Sequence, residues 1–345
     1  METSQQSPNK ASQILVVLAS FVIIVAGMKA AESLVVPFLL AAFITIISSP
    51  PFIWMKKKNI PGGLALLIII IFFLAIIFLI GVLIGTSIND FLSNLPFYEA
   101  KLKAQTDGLI NWLVANNFIK SDFELLNTIN PSSILQLFGN ALNQISGVFA
   151  DGFLILFTVI FMLLEITSLP KKLIKVFVKP DESMVRVNTV YQKINKYIGI
   201  KTLLGLGTGI LAYFFLLIVG VDYPLLWAVL AFVLYFIPTI GSMVALIPPV
   251  LLTVIQLGFG QAVIVLFGFI IINTIIGNIL EPKFMGRGLE LSTLVVFLCL
   301  IFWGWVLGPI GMLLSVPLTI TIKIALESSE ETRWLAVMLG PETTD

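Results

Sequence analysis

Six runs of apolar residues, near positions 13–31, 33–53, 62–88, 146–169, 202–220 and 260–280, each approach or exceed the ~20 residues that a helix needs to cross a bilayer core. Runs of this length commit most of the chain to hydrocarbon. The composition agrees, since 58% of the 345 residues are apolar, 11% are charged and the mean hydropathy is +1.06. A soluble core could not hide that much apolar surface. The chain is therefore read as an all-α integral membrane protein with about six full transmembrane helices.

Two further apolar runs, 223–257 and 291–326, are broken in the middle. The first carries Pro238, Gly241 and Pro248; the second carries Gly308, Pro309, Gly311 and Pro317. Each arm has about 15–18 residues and reaches only ~22–27 Å, against a ~30 Å core. Backbone groups freed by such a break find no water in hydrocarbon, so the break must be satisfied by protein or face a wet cavity. We read both runs as helical hairpins; the alternative is pairs of short, tilted spanning helices, giving 8–10 spans. A matched pair of interrupted segments points to a transporter's binding site. On this reading Gly241 and Gly311 supply positive φ at the tips, beside Pro238 and Pro309, and the hairpins are the moving parts.

Basic residues set the orientation, because lysine and arginine stay on the cytoplasmic side of short loops. Lys56, Lys57 and Lys58 follow the second run, and eight basic residues from Lys171 to Lys201 follow the fourth. With both loops inside, all of the 20 basic residues except Lys29, Lys101, Lys103 and Lys120 are cytoplasmic. Both termini are then cytoplasmic, and the location is a cell (plasma or inner) membrane. The hairpins enter from opposite faces and their tips point toward each other, as in an inverted repeat around a midplane site. The chain divides into N-terminal transmembrane helices (1–88), an extracytoplasmic helical insert (89–145), one span (146–169), a cytoplasmic basic amphipathic segment (170–201), a C-terminal transport core with both hairpins (202–326) and a cytoplasmic tail (327–345).

In the insert, Leu102, Leu109, Trp112 and Leu113 fall at helical spacing, and Asn130 with Pro131 reads as a helix start. It is either a cap or protomer contact, or a solvated connector. In 170–201 one face carries Val187, Val190, Tyr191, Ile194, Tyr197 and Ile198 and lysines occupy much of the rest, a pattern that anchors helices on anionic lipid, with coupling to the moving parts as the alternative role.

Polar residues inside the spans are costly and so are candidates for function. Asn273, Thr274, Asn278 and Glu281 form the richest set, with Gly277 beside them allowing close approach. These oxygen-bearing side chains suit a small polar, hydroxylated solute or a coupling Na⁺ or H⁺; interhelical hydrogen bonding is the alternative role. Asp151, Glu165 and Asp222 sit at span ends and read as interfacial. Trp303 and Trp305 are either an interface belt or an aromatic wall. With no histidine and one cysteine, Cys299, the chain offers no imidazole chemistry and no intrachain disulfide. No catalytic group, metal site or organic cofactor is expected, and a net charge of +1 gives no footprint for nucleic acid. No phosphate-binding Gly-rich loop is present, so a gradient or the solute itself would drive transport. A membrane scaffold is the other reading.

Pro238 to Gly241, the run from Asn278 to Gly286, and the run from Phe302 to Met312 followed by Val316 and Pro317 resemble the signatures of the autoinducer-2 exporter family. The resemblance extends over nearly the whole chain. It implies a multi-pass homo-oligomeric secondary transporter, a pentamer by that resemblance, which exports a furanosyl signal such as autoinducer-2 and in some branches exchanges Na⁺ for H⁺. Membrane lipid and a small polar solute are the expected partners.

Overall fold

The computed structural model describes residues 10–116, 140, 152–166, 168, 172, 180–285, 291–327 and 329–341. The elements found there are helices: α1 (Lys10–Ala30), α2 (Glu32–Lys57), α3 (Gly62–Ala115), α4 (Gly152–Glu165), α5 (Pro180–Val219), α6 (Pro224–Leu234), α7 (Ile240–Leu257), α8 (Phe259–Asn273), a π-helical segment (Thr274–Leu280), α9 (Glu281–Met285), α10 (Thr293–Glu327) and α11 (Arg333–Met338). Among the described residues five helices are long and apolar enough to cross a membrane, and shorter apolar helices join them. Leucine, isoleucine and phenylalanine on their outer faces, such as Phe72, Phe157 and Phe214, are exposed. Apolar surface facing outward is what a lipid solvent demands.

α2 shows how proline survives inside such a bundle. Pro50 cannot donate to the Ile46 carbonyl four residues back, and an unpaired carbonyl in hydrocarbon is costly. The Ser49 hydroxyl donates to that carbonyl at 2.8 Å. Tyr191 of α5 lies 2.6 Å from the same hydroxyl and ties the two helices together.

Two helices run on past the boundaries expected for them. α3 continues without a break beyond residue 88; its 54 residues make a helix roughly 80 Å long. Just past that boundary, Phe91 and Tyr98 are buried against Leu226 and Trp227. The side chains of Leu102, Leu109, Trp112 and Leu113, and the Asn130–Pro131 helix start, lie outside the described residues. α5 joins the basic amphipathic segment to the fifth span in one helix of 40 residues. A continuous helix cannot both lie along a leaflet and cross it. Its apolar face, Ile194, Tyr197 and Ile198, packs with Val316, Ile320 and Ile324 of α10, so protein covers what the sequence assigned to lipid.

The first broken run is a hairpin of α6 and α7. Its two ends meet: the Asp222 amide donates to Gln256 Oε1 at 3.1 Å, and the Gln256 amide donates back to the Asp222 carboxylate. Its tip stops level with the middle of α2, where Phe236 packs edge-on against Phe43 with 6.5 Å between ring centroids. The second broken run is α10, interrupted at Leu307 and at Gly308, which has φ 63° and ψ −154°. Trp303 Nε1 donates to Thr319 Oγ1 at 3.1 Å across 16 residues, which a straight helix would hold roughly 24 Å apart. The chain therefore folds back here too. Trp303 is thus a bridge between the arms, neither belt nor solute wall, while Trp305 is exposed under Lys29 at 4.0 Å.

The two tips do not face each other across one midplane. The Glu32 carboxylate stands against Gly308, which places the second tip at the α1–α2 corner, beyond the level of the first. Arm length contributes to this, because the first arm of α10 runs from Thr293 to Val306 before its turn, while α6 spans only Pro224–Leu234. The tip glycines also act differently from expectation. A Cβ on Gly241 would fall on the Leu234 carbonyl oxygen and one on Gly311 on that of Trp303, so both are needed for space. Positive φ falls instead on Thr239 (62°) and Gly308.

Candidate functional site

A cavity of about 620 Å³ lies where the first tip meets α5, the π-helical segment and the base of α10. Asn273, Thr274, Asn278 and Glu281 all line it, as do Pro238, Thr239 and Ser242 from the tip. Gly241, Pro248, Gly308, Pro309, Gly311 and Pro317 are not among its lining residues. The hairpin positions named from sequence are thus divided, with Pro238 in the cavity wall and the rest shaping the hairpins or their arms.

The π-helical segment explains how residues so spaced share one wall. In an α-helix Asn273 and Asn278, five apart, would point roughly 140° away from each other. The i→i+5 bonding of Thr274–Leu280 brings positions five apart back toward one side. A Cβ at Gly277 would meet nothing within 4 Å. That glycine widens the cavity; the close helix approaches occur at Gly205 and Gly209, against Phe232 and the Ala228 carbonyl. Asn273 Nδ2 donates to the Ser242 carbonyl at 3.3 Å, linking this segment to the tip. Thr274 donates to the Ile270 carbonyl at 2.8 Å.

One ion pair closes the cavity wall. Lys201 Nζ of α5 lies 2.7 Å from Glu281 Oε1. It also donates to the Tyr235 carbonyl at 3.3 Å and sits 4.6 Å from the centre of the Tyr235 ring. The Tyr235 hydroxyl donates to Glu281 Oε2 at 2.7 Å. The Lys201 side chain is 4% exposed and that of Glu281 21%, so the pair is enclosed and each charge has the other as its main compensation. Three elements, α5, the hairpin tip and α9, meet at this node. Among the described residues no group of three or more His, Cys, Asp or Glu is placed to hold a metal ion.

The sequence signature of the AI-2E family transporter matches residues 18–331. This chain belongs to the AI-2E transporter family. Two relatives match nearly all of it. It is 40% identical to the AI-2 transport protein TqsA of Escherichia coli (strain K12), over 95% of each chain. It is 36% identical to the protein called "Putative transport protein YhhT" of the same strain, over 99% of this chain and 97% of that one. This AI-2E transporter is therefore a multi-pass membrane transporter.

Sequence reasoning about the AI-2E transporter missed two members of its polar node, Lys201 and Tyr235, and the buried Tyr197 near them. Sequence position alone groups Lys201 with the cytoplasmic basic loop, Tyr197 with an apolar face, and Tyr235 with an apolar run. One signal was available: Lys201 opens an apolar run one helical turn after Tyr197, and an ionisable group there calls for a partner. The out-of-register spacing of Asn273 and Asn278 was the corresponding sign of the π-helical segment. Of the residues read as interfacial, Glu165 pairs with Lys172 at 2.5 Å and Asp222 is exposed at the hairpin ends, while Asp151 lies outside the described residues.

Proposed function

We propose that this chain is a secondary transporter in a cell membrane, that its solute is small, polar and hydroxylated, as autoinducer-2 is, and that it moves that solute outward. The observation that carries the proposal is the cavity itself, a polar space in an apolar bundle, walled in part by the tip of the first hairpin. Its two charged lining residues, Lys201 and Glu281, compensate each other, which leaves neutral hydrogen-bonding groups to meet a solute. The kinship with a protein named for AI-2 transport supports the same class of solute. Both termini and the Lys56–Lys58 turn are taken to face the cytoplasm, and protomers to assemble into a homo-oligomer.

Flux across proteoliposomes tests this directly. Purified protein should release preloaded autoinducer-2 faster than protein-free vesicles, and an imposed Na⁺ or pH gradient should change the rate if that ion is coupled. Equal release from both kinds of vesicle would sink the transport reading for this solute. The enclosed Lys201–Glu281 pair favours one second reading, exchange of Na⁺ for H⁺, in which ion flux would occur with no solute present.

A further inference from the structure

We propose that α11 is an interfacial anchor: it lies along the membrane at the base of the second hairpin and seats Trp334, Val337 and Met338 in the boundary between lipid headgroups and acyl chains. Sequence position assigns this helix to a cytoplasmic tail. The structure ties both of its ends to the hairpin instead. At its start, the Thr332 hydroxyl donates to the Leu326 carbonyl, in the last turn of α10, at 2.7 Å. At its end, the Leu339 carbonyl accepts from the Ser292 amide, just before α10 begins, at 3.1 Å. A helix held by the end of one arm and the start of the other lies across the hairpin's base, and so along the plane of the membrane that the hairpin enters.

Depth follows from the arms. The tip stands at the corner where α2 begins its span, and the second arm, Pro309 to Glu327, carries the base about 28 Å away, close to the ~30 Å of a bilayer core. α11 therefore sits at the opposite boundary, and Leu339 packs with the cluster that holds Ile320 and Ile324 rather than beyond it. The helix is apolar on two sides. Ala336 is buried and Leu339 partly buried against the protein, while Trp334, Val337 and Met338, at i, i+3 and i+4, are 63%, 65% and 72% exposed. A helix with apolar residues all round belongs between two apolar neighbours. At this level the second neighbour is lipid, and tryptophan is a side chain that favours the interface. The flanking Glu327, Glu330 and Glu331 outnumber Arg333, so the attraction is apolar and gains nothing from anionic headgroups. Ser292 lies between Leu291 and Thr293, which both line the cavity, so the anchor also braces that wall.

The test places a nitroxide on the full chain in phosphatidylcholine vesicles, through Val337→Cys, Met338→Cys or, as a control, Glu330→Cys, each in a Cys299→Ser background. Collision with oxygen, which concentrates in lipid, should exceed collision with a water-soluble nickel chelate severalfold at 337 and 338, and the order should reverse at 330. Adding phosphatidylglycerol should leave these ratios unchanged. As a second readout that needs no label, lipids brominated near the headgroup should quench wild-type tryptophan fluorescence more than that of Trp334→Phe. Nickel collision dominating at 337 and 338 would put this face in water and overturn the proposal. So would labels that neither reagent reaches and whose broadened spectra sharpen on dilution with unlabelled protein, because a second copy of the chain would then cover the face. Equal quenching of wild type and Trp334→Phe, or an oxygen preference that appears only with phosphatidylglycerol, would also overturn it.

Discussion

Breaking the Lys201–Glu281 pair should cost more than any other single polar change in the bundle, and the two ways of breaking it should differ. Removing one partner of a buried pair typically costs about 3–5 kcal/mol because the other is left uncompensated. Glu281→Gln leaves the ammonium of Lys201, 4% exposed, without a counter-charge, with neutral acceptors and the Tyr235 ring in its place. It belongs near the top of that range. Lys201→Met keeps the volume and strands Glu281, which is 21% exposed and still accepts from the Tyr235 hydroxyl, so about 2–3 kcal/mol is expected. The double variant leaves no stranded charge and should recover about 2–4 kcal/mol relative to the sum. Reversible unfolding of the three variants in bicelles measures this cycle. Additivity within about 0.5 kcal/mol would refute the reasoning, because uncoupled residues do not share a buried pair.

Gly241→Ala and Gly311→Ala should each cost at least about 3 kcal/mol or prevent assembly, since the new Cβ meets a backbone carbonyl that cannot step aside; melting temperature reads this. Gly308→Ala should cost about 1–3 kcal/mol from its backbone conformation, measured the same way. Asn278→Ala should reduce solute flux sharply while expression and melting temperature hold, because a membrane hydrogen bond used only as glue averages ~0.6 kcal/mol; normal flux would move the site elsewhere. Cysteines placed beside Lys57 and Lys175 should react only with cytoplasmic reagent and one beside Asp107 only with external reagent, and a cytoplasmic Asp107 would invert the proposed topology.

Hydropathy determined on its own that this chain is a helical membrane protein, because runs of about 20 apolar residues have few other stable fates. The Pro/Gly interruptions likewise marked both places where the chain folds back, since backbone chemistry is local and proline and glycine act on their own neighbourhood. The polar set Asn273, Thr274, Asn278 and Glu281 stood out for the same reason: polar groups in a span are conspicuous wherever they point. How deep each hairpin reaches was decided only in three dimensions, by Phe236 meeting Phe43 and by Gly308 meeting Glu32. So was the use of Gly241 and Gly311, because a glycine needed for space and one needed for positive φ are the same letter until a neighbour is known. Lys201 is the plainest case. Sequence placed it with the lysines of a cytoplasmic loop, where its charge needs no partner; one continuous helix carries it inside the bundle, where burial makes Glu281 and Tyr235 its necessary company.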